Sequence, residues 1–266
     1  MKIFFVDIDG TIVDTENGNH HPSIKTQYAF KKLQENGDKV FICSGRAKCL
    51  LTQDIIDLKP DGFILANGGY CEYEDQKLFS ERMDDTVVHN LIEYCNTHNL
   101  CYYMESYDKI YTEDLKNPTH VNFCGEWGTD CYTDERLPEA VDINIAMIAL
   151  SEENKEVRAA LEAYCAEDFD LLAHNFFCSY DVNIKDISKG TAISRVLDHF
   201  KIDRDAAYAF GDGNNDLEML MSVKHSVAME NAVQKLKDIA ETITTSVAQD
   251  GFYEYLVNKS LIEPIV

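Results

Sequence analysis

The sequence predicts an α/β fold, a doubly wound parallel sheet of Rossmann-like type interrupted by an inserted α+β domain. Three observations carry this expectation. Short apolar runs alternate with helical patterns near the N-terminus, and the same alternation resumes after residue 188. Such alternation implies βαβ units and a parallel sheet. The middle third breaks the rhythm and shows helix–strand–strand twice, which suits an α+β insert. The expected boundaries are 1–80 and 188–266 for the core domain and 81–187 for the insert.

Taken in order, Ile3 to Val6 are β-branched and aromatic residues bounded by Gly10, the signature of a buried strand. SIKTQYAFKKLQENG follows with apolar residues at helical spacing and a terminating Gly37. KVFICSGR reads as a strand, Ala47 to Ile56 as a helix and GFILANGG as a strand. In the insert, VVHNLIEYCNTHN is helical, and LCYYMES and KIYTED are paired strands. NKEVRAALEAYCAED, FDLLAHN and FCSYDVNI repeat the pattern, with AVDINIAMIAL as an additional strand between. After residue 188, KGTAISRVLDHFKI, NNDLEMLMSV and NAVQKLKDIAE read as helices, and AAYAFGDG and HSVAM as strands.

The 266 residues supply ample core for one large or two moderate domains. The formal charge of −23 opposes general binding to nucleic acid or anionic membranes. An anionic substrate would need local positive charge, from a metal, a few basic side chains or helix N-termini. Nine cysteines form no C-x-x-C pair, which argues against zinc. Several lie in apolar runs, where a free thiol behaves as a small core residue. That usage suits a reducing cytosol. Asp7 comes too early for a signal peptide, and no apolar run reaches the roughly 18 residues of a membrane span. The expectation is a cytoplasmic protein.

MKIFFVDIDGT poses the chemical question, because two carboxylates follow directly on a buried strand. Like charges near 4 Å repel by about 4 kcal/mol at an effective dielectric of 20. A cation, a shared proton or an outward turn must relieve that repulsion. Other strand and helix ends carry further polar groups: Ser44 after VFIC, Lys189 at the start of a helix, and Gly211-Asp212-Gly213-Asn214-Asn215-Asp216. Ligands of parallel sheets bind beyond the carboxyl ends of the strands, where this topology gathers Asp7, Asp9, Ser44 and Asp212. An oxygen-rich carboxylate site suits Mg²⁺. With such a cation present, Asp7 can attack phosphorus and Asp9 can shuttle a proton to the leaving group. Ser44 can hydrogen-bond a phosphoryl oxygen, and Lys189 can balance charge on the transferring group.

These motifs together resemble the haloacid dehalogenase-like superfamily of phosphatases, specifically its Cof-type sugar-phosphatase branch with a type IIB cap. Asp7-Ile8-Asp9-Gly10-Thr11 resembles the first motif, Ser44 the second, Lys189 in SKGTA the third, and the Gly211–Asp216 run the fourth. AMENAVQKLKDIAE and TTSVAQDG are similar to the branch's C-terminal segment, and Asn67-Gly68-Gly69 to a loop beside its site. The resemblance implies Asp7 as nucleophile, and Asp9 as acid/base that also offers a backbone carbonyl to Mg²⁺. It implies Ser44 and Gly45 at the phosphate, Asp212 as a metal ligand, and Asn215 on the substrate side. Asp216 would orient the metal's waters or Lys189. The insert would be the cap, closing over small phosphorylated substrates.

The motif D-x-D-G-T alone would also fit a calcium loop, but the twelfth position from Asp7 is Gly18 and not Glu. The eight histidines show no ligand spacing and read as surface or packing residues; His20 and His21 fit no motif. Tyr102, Tyr103 and Tyr107 read as the insert's sheet face. Trp127 falls in a loop-like stretch of the insert, and no cysteine has a plausible base beside it. The functional expectation is a Mg²⁺-dependent phosphatase for small metabolites. The alternatives are a phosphomutase, a phosphatase of narrow specificity, and a non-catalytic binding module that the intact acidic set argues against.

Overall fold

The computed structural model describes residues 1–265 apart from 125–129, 140, 151–153 and 175–177, and describes no side chain at Glu16 or 122–124. Trp127 therefore lies outside the described residues. The chain divides into two compact units. The first comprises Met1–Ser44, Leu51–Leu78 and Ser188–Val266, and the second Gly45–Leu50 and Phe79–Ile187.

The first unit opens with β1 (Ile3–Val6), α1 (Ile24–Glu35), β2 (Lys39–Cys43), α2 (Gln53–Ile56), β3 (Gly62–Leu65), β4 (Tyr70–Tyr73) and β5 (Gln76–Ser80). All four residues of β1 are buried, as expected of a strand covered on both faces. Ser23 caps α1 by accepting a 3.0 Å bond from the Thr26 N–H. The anticipated helix over 47–56 is instead broken. A short 3₁₀ turn occupies Lys48–Leu50, and Thr52 is extended before α2 starts. The Cys49 N–H, which a first helical turn leaves without an intrahelical partner, donates to the Tyr107 carbonyl at 3.1 Å.

The second unit contains α3 (Asp85–His98), β6 (Cys101–Glu105), β7 (Ile110–Tyr111), α4 (Pro118–Cys124), β8 (Tyr132–Thr133), β9 (Ile145–Ala149), α5 (Lys155–Cys165), β10 (Phe169–Ala173) and β11 (Ser179–Ile184). Its sheet runs β10-β11-β9-β6-β7-β8. Both helix–strand–strand units are present around β9, and α4 and β8 are additions that the sequence pattern did not reveal. Its core gathers Leu91, Cys95, Met104, Ile148, Leu161 and Val182.

The chain then supplies α6 (Lys189–Phe200), β12 (Ala207–Gly211), α7 (Leu217–Met221), β13 (His225–Ala228), α8 (Gln234–Ile239), β14 (Thr242–Ile243) and α9 (Gly251–Asn258) to the first unit. The eight-stranded sheet has the order β14-β13-β12-β1-β2-β3-β4-β5. It is parallel from β14 to β3, and β4 returns antiparallel to β3. Val6 pairs with Phe210 on one side and Ile42 on the other, so the three central strands end level. That alignment builds the site described next.

Candidate active site

Asp7 is the first residue beyond β1, and its N–H donates to the Phe210 carbonyl at 3.0 Å. Asp212 follows β12 and Ser44 follows β2, so the level strand ends bring all three to one edge of the sheet. Gly10 then reverses the chain at φ +77°, and a Cβ there would lie 2.1 Å from Asp212 Oδ2. Only glycine meets both demands.

Lys189 is the electrostatic centre of this edge. Ser188 caps α6 through a capping box, which sets Lys189 in the first turn of the helix. Gly68, at φ +105°, admits this turn: a Cβ there would be 2.2 Å from the Ser188 carbonyl oxygen. The Lys189 ammonium is fully buried and donates to Asp7 Oδ1 at 2.6 Å and Asp216 Oδ1 at 2.7 Å. Burial alone would lower its pKa, but Asp216 and Asp7 outweigh that cost and hold it above the ordinary lysine value. The other Asp216 oxygen accepts from the Asp212 and Gly213 N–H groups, both at 2.9 Å. This bonding ties the fourth-motif loop to the lysine.

The carboxylates remain crowded. Burial and then repulsion by Asp216 push Asp7 up to about 7, with Asp9 adding to the rise and Lys189 opposing it. Asp212 is likewise held well above the carboxylate range, first by burial and then by Asp7 and Asp216. Oxygens from Asp7, Asp212 and Asp216 lie within 4.8 Å of one another. Three carboxylates against one lysine leave a net negative cluster of hard oxygens, a donor set that fits a divalent cation such as Mg²⁺. Asp216 already serves Lys189 and two backbone N–H groups, which leaves Asp7 and Asp212 as the better-placed ligands.

The remaining expected residues have contacts of their own. Asp9 is half-buried, two residues past Asp7. Ser44 is 1 % exposed, donates its N–H to Ile64 and accepts from the Asn67 N–H at 3.1 Å. Asn215 donates to the Asn67 side chain at 3.0 Å, which joins the fourth-motif loop to the Asn67-Gly68-Gly69 turn. Gly45 begins the short segment that groups with the second unit. His21 Nδ1 lies 2.5 Å from Asp54 Oδ2 on an exposed surface. Two residues that lie in quoted motifs without an assigned role make further contacts. Thr11 Oγ1 donates to Asp212 Oδ1 at 3.3 Å, and Asn231 Nδ2 donates to the Gly10 carbonyl at 2.8 Å. Asn231 belongs to the AMENAVQKLKDIAE segment, in which the sequence singles out no residue.

An acidic sheet edge around a buried lysine is an arrangement suited to phosphoryl transfer. The family model for haloacid dehalogenase-like hydrolases matches residues 4–256, and the chain belongs to that family. It is a phosphatase of that family. YkrA of Bacillus subtilis (strain 168) is 32 % identical over 253 residues, spanning 94 % of each chain. Phosphatase YwpJ of the same organism is 26 % identical over 289 residues, covering 94 % of this chain and 97 % of its own. Among solved structures, a hypothetical protein from Geobacillus kaustophilus HTA426 superposes with a TM-score of 0.85 at 28 % identity, covering 98 % and 99 % of the two chains. The HAD subclass IIB sugar phosphatase BT4131 shares the fold, with a TM-score of 0.83 at 21 % identity and coverage of 98 % and 100 %. Among the described residues, no helix is long and apolar enough to cross a membrane.

Proposed function

We propose that the protein hydrolyses small phosphorylated metabolites, sugar phosphates foremost, through a phosphoryl group carried on Asp7. The observation that carries the reading is the Lys189 bridge between Asp7 and Asp216. It fixes one Asp7 oxygen and leaves the other to attack phosphorus, while the ammonium offsets charge on the transferring group. As the P–O ester bond breaks, Asp9 gives its proton to the departing alcohol. Asp9 then takes a proton from the water that attacks the aspartyl-phosphate, which releases inorganic phosphate and restores Asp7. Ser44, Gly45 and Asn215 are the proposed phosphate and substrate contacts. Asp7, the Asp9 carbonyl and Asp212 would hold Mg²⁺, with Asp216 orienting the site from behind. The cation would neutralise phosphoryl oxygens and relieve the repulsion between the carboxylates.

We further assign residues 1–80 and 188–266 to catalysis and 81–187 to substrate selection. The names of phosphatase YwpJ and of the subclass IIB sugar phosphatase support the choice of sugar phosphates as substrates, not the division of roles between domains. The test is phosphate release from an aryl phosphate and a panel of sugar and nucleotide phosphates, with Mg²⁺, with EDTA, and with Asp7→Asn. Mg²⁺-dependent release that vanishes in the variant is expected. Release that persists in Asp7→Asn would overturn the assignment.

A further inference from the structure

The second unit holds a thiol pair that the chemistry above does not use. Cys49 lies in the Gly45–Leu50 segment and Cys131 just before β8, and both are half-buried free thiols. They border one apolar cluster that includes Cys101, Tyr103, Ile110 and Tyr132. Their backbones converge on the turn between β6 and β7: the Cys49 N–H donates to Tyr107, and Cys131 accepts from the Ile110 N–H at 2.9 Å. Glu105, at the end of β6, accepts from the Ala47 N–H and faces Cys131, which adds a third point of convergence. The two thiols are hydrogen-bonded to each other.

We propose that Cys49 and Cys131 are an oxidisable dithiol that closes to a reversible disulfide, tying the Gly45–Leu50 segment to the start of β8 within the second unit. With hydrogen peroxide as oxidant, the Cys131 thiolate attacks one peroxide oxygen, the O–O bond breaks, and hydroxide leaves to take up a proton as water. The resulting Cys131 sulfenic acid is attacked by the Cys49 sulfur, which forms the S–S bond and releases a second water. Two thiols and one peroxide thus give one disulfide and two waters.

The electrostatics agree with this order of events. The hydrogen bond from Cys49 holds the Cys131 thiol below its ordinary range, and the same bond, with burial, raises Cys49. A second cysteine pair in this unit, in its other core cluster, differs. Cys95 and Cys165 are fully buried, and burial pushes both up to about 12. Such thiols are poor nucleophiles and are shielded from oxidant.

The test treats the full-length protein with hydrogen peroxide, blocks remaining thiols with iodoacetamide and maps peptides without reduction. The expected result is the loss of two alkylatable thiols per chain and one cross-linked Cys49–Cys131 peptide, both reversed by dithiothreitol. In Cys49→Ser, Cys131 should instead be labelled by dimedone as the sulfenic acid. Full alkylation at both positions after peroxide would overturn the proposal, as would preferential cross-linking of Cys95 to Cys165.

Discussion

Replacing the proposed nucleophile should stabilise the metal-free protein, and the site's electrostatics give the size of the effect. Asp7 rises from the ordinary aspartate value of 3.8 to about 7, chiefly through burial and then through Asp216. Between about pH 4 and about pH 7 the folded protein holds a proton that the unfolded chain has released. The native state binds more protons, so stability falls as pH rises through this window. A shift of about 3 units at ~1.4 kcal/mol per unit gives an upper limit of about 4 kcal/mol lost above pH 7. Asp7→Asn removes that loss, and its amide oxygen can still accept from Lys189. Urea unfolding in EDTA, at pH 4 and at pH 8, should give matching midpoints in acid and a higher midpoint for the variant in base. Saturating Mg²⁺ should narrow the gap, because the ion binds the charged form and stabilises it by mass action. A variant no more stable than the wild type at pH 8 without metal would refute this account of the site.

Other perturbations probe single contacts. Lys189→Met leaves Asp7 and Asp216 buried without their cation and should cost about 3–5 kcal/mol, read as the urea midpoint at constant slope. Asp9→Asn should leave that midpoint within ~0.5 kcal/mol and lower kcat by about 10²–10⁴-fold; wild-type turnover would remove Asp9 from the proton-transfer role. Gly10→Ala forces a Cβ against Asp212 Oδ2 and should weaken Mg²⁺ binding, measured by calorimetry, by about 10–100-fold. Asn231→Ala, which frees the Gly10 carbonyl, should weaken Mg²⁺ in the same assay by about tenfold.

The parts of this molecule that were legible in the sequence are those whose surroundings are set by adjacent residues. Ile3–Val6 reads as a buried strand because it is apolar on both faces, and a carboxylate ending such a strand announces a site. Asp7 and Asp212 were visible for that reason. The 47–56 segment has a local helical pattern, yet the structure interrupts it at extended Thr52, and its first turn bonds through Cys49 to Tyr107, 58 positions away in the chain. The role of Asn231 within AMENAVQKLKDIAE was not legible, since its partner is a backbone carbonyl 221 residues distant. Lys189 is the instructive intermediate case. Alone, a lysine opening a helix is a solvated surface charge. It becomes a fully buried bridge only because two carboxylates, 27 and 182 residues removed, converge on its ammonium. Each carboxylate would be costly there without the lysine, and the lysine without them. The motif order along the chain preserves that mutual dependence where no single residue does. Four weak signals in sequence could therefore indicate a site that the contacts of each residue taken alone would not.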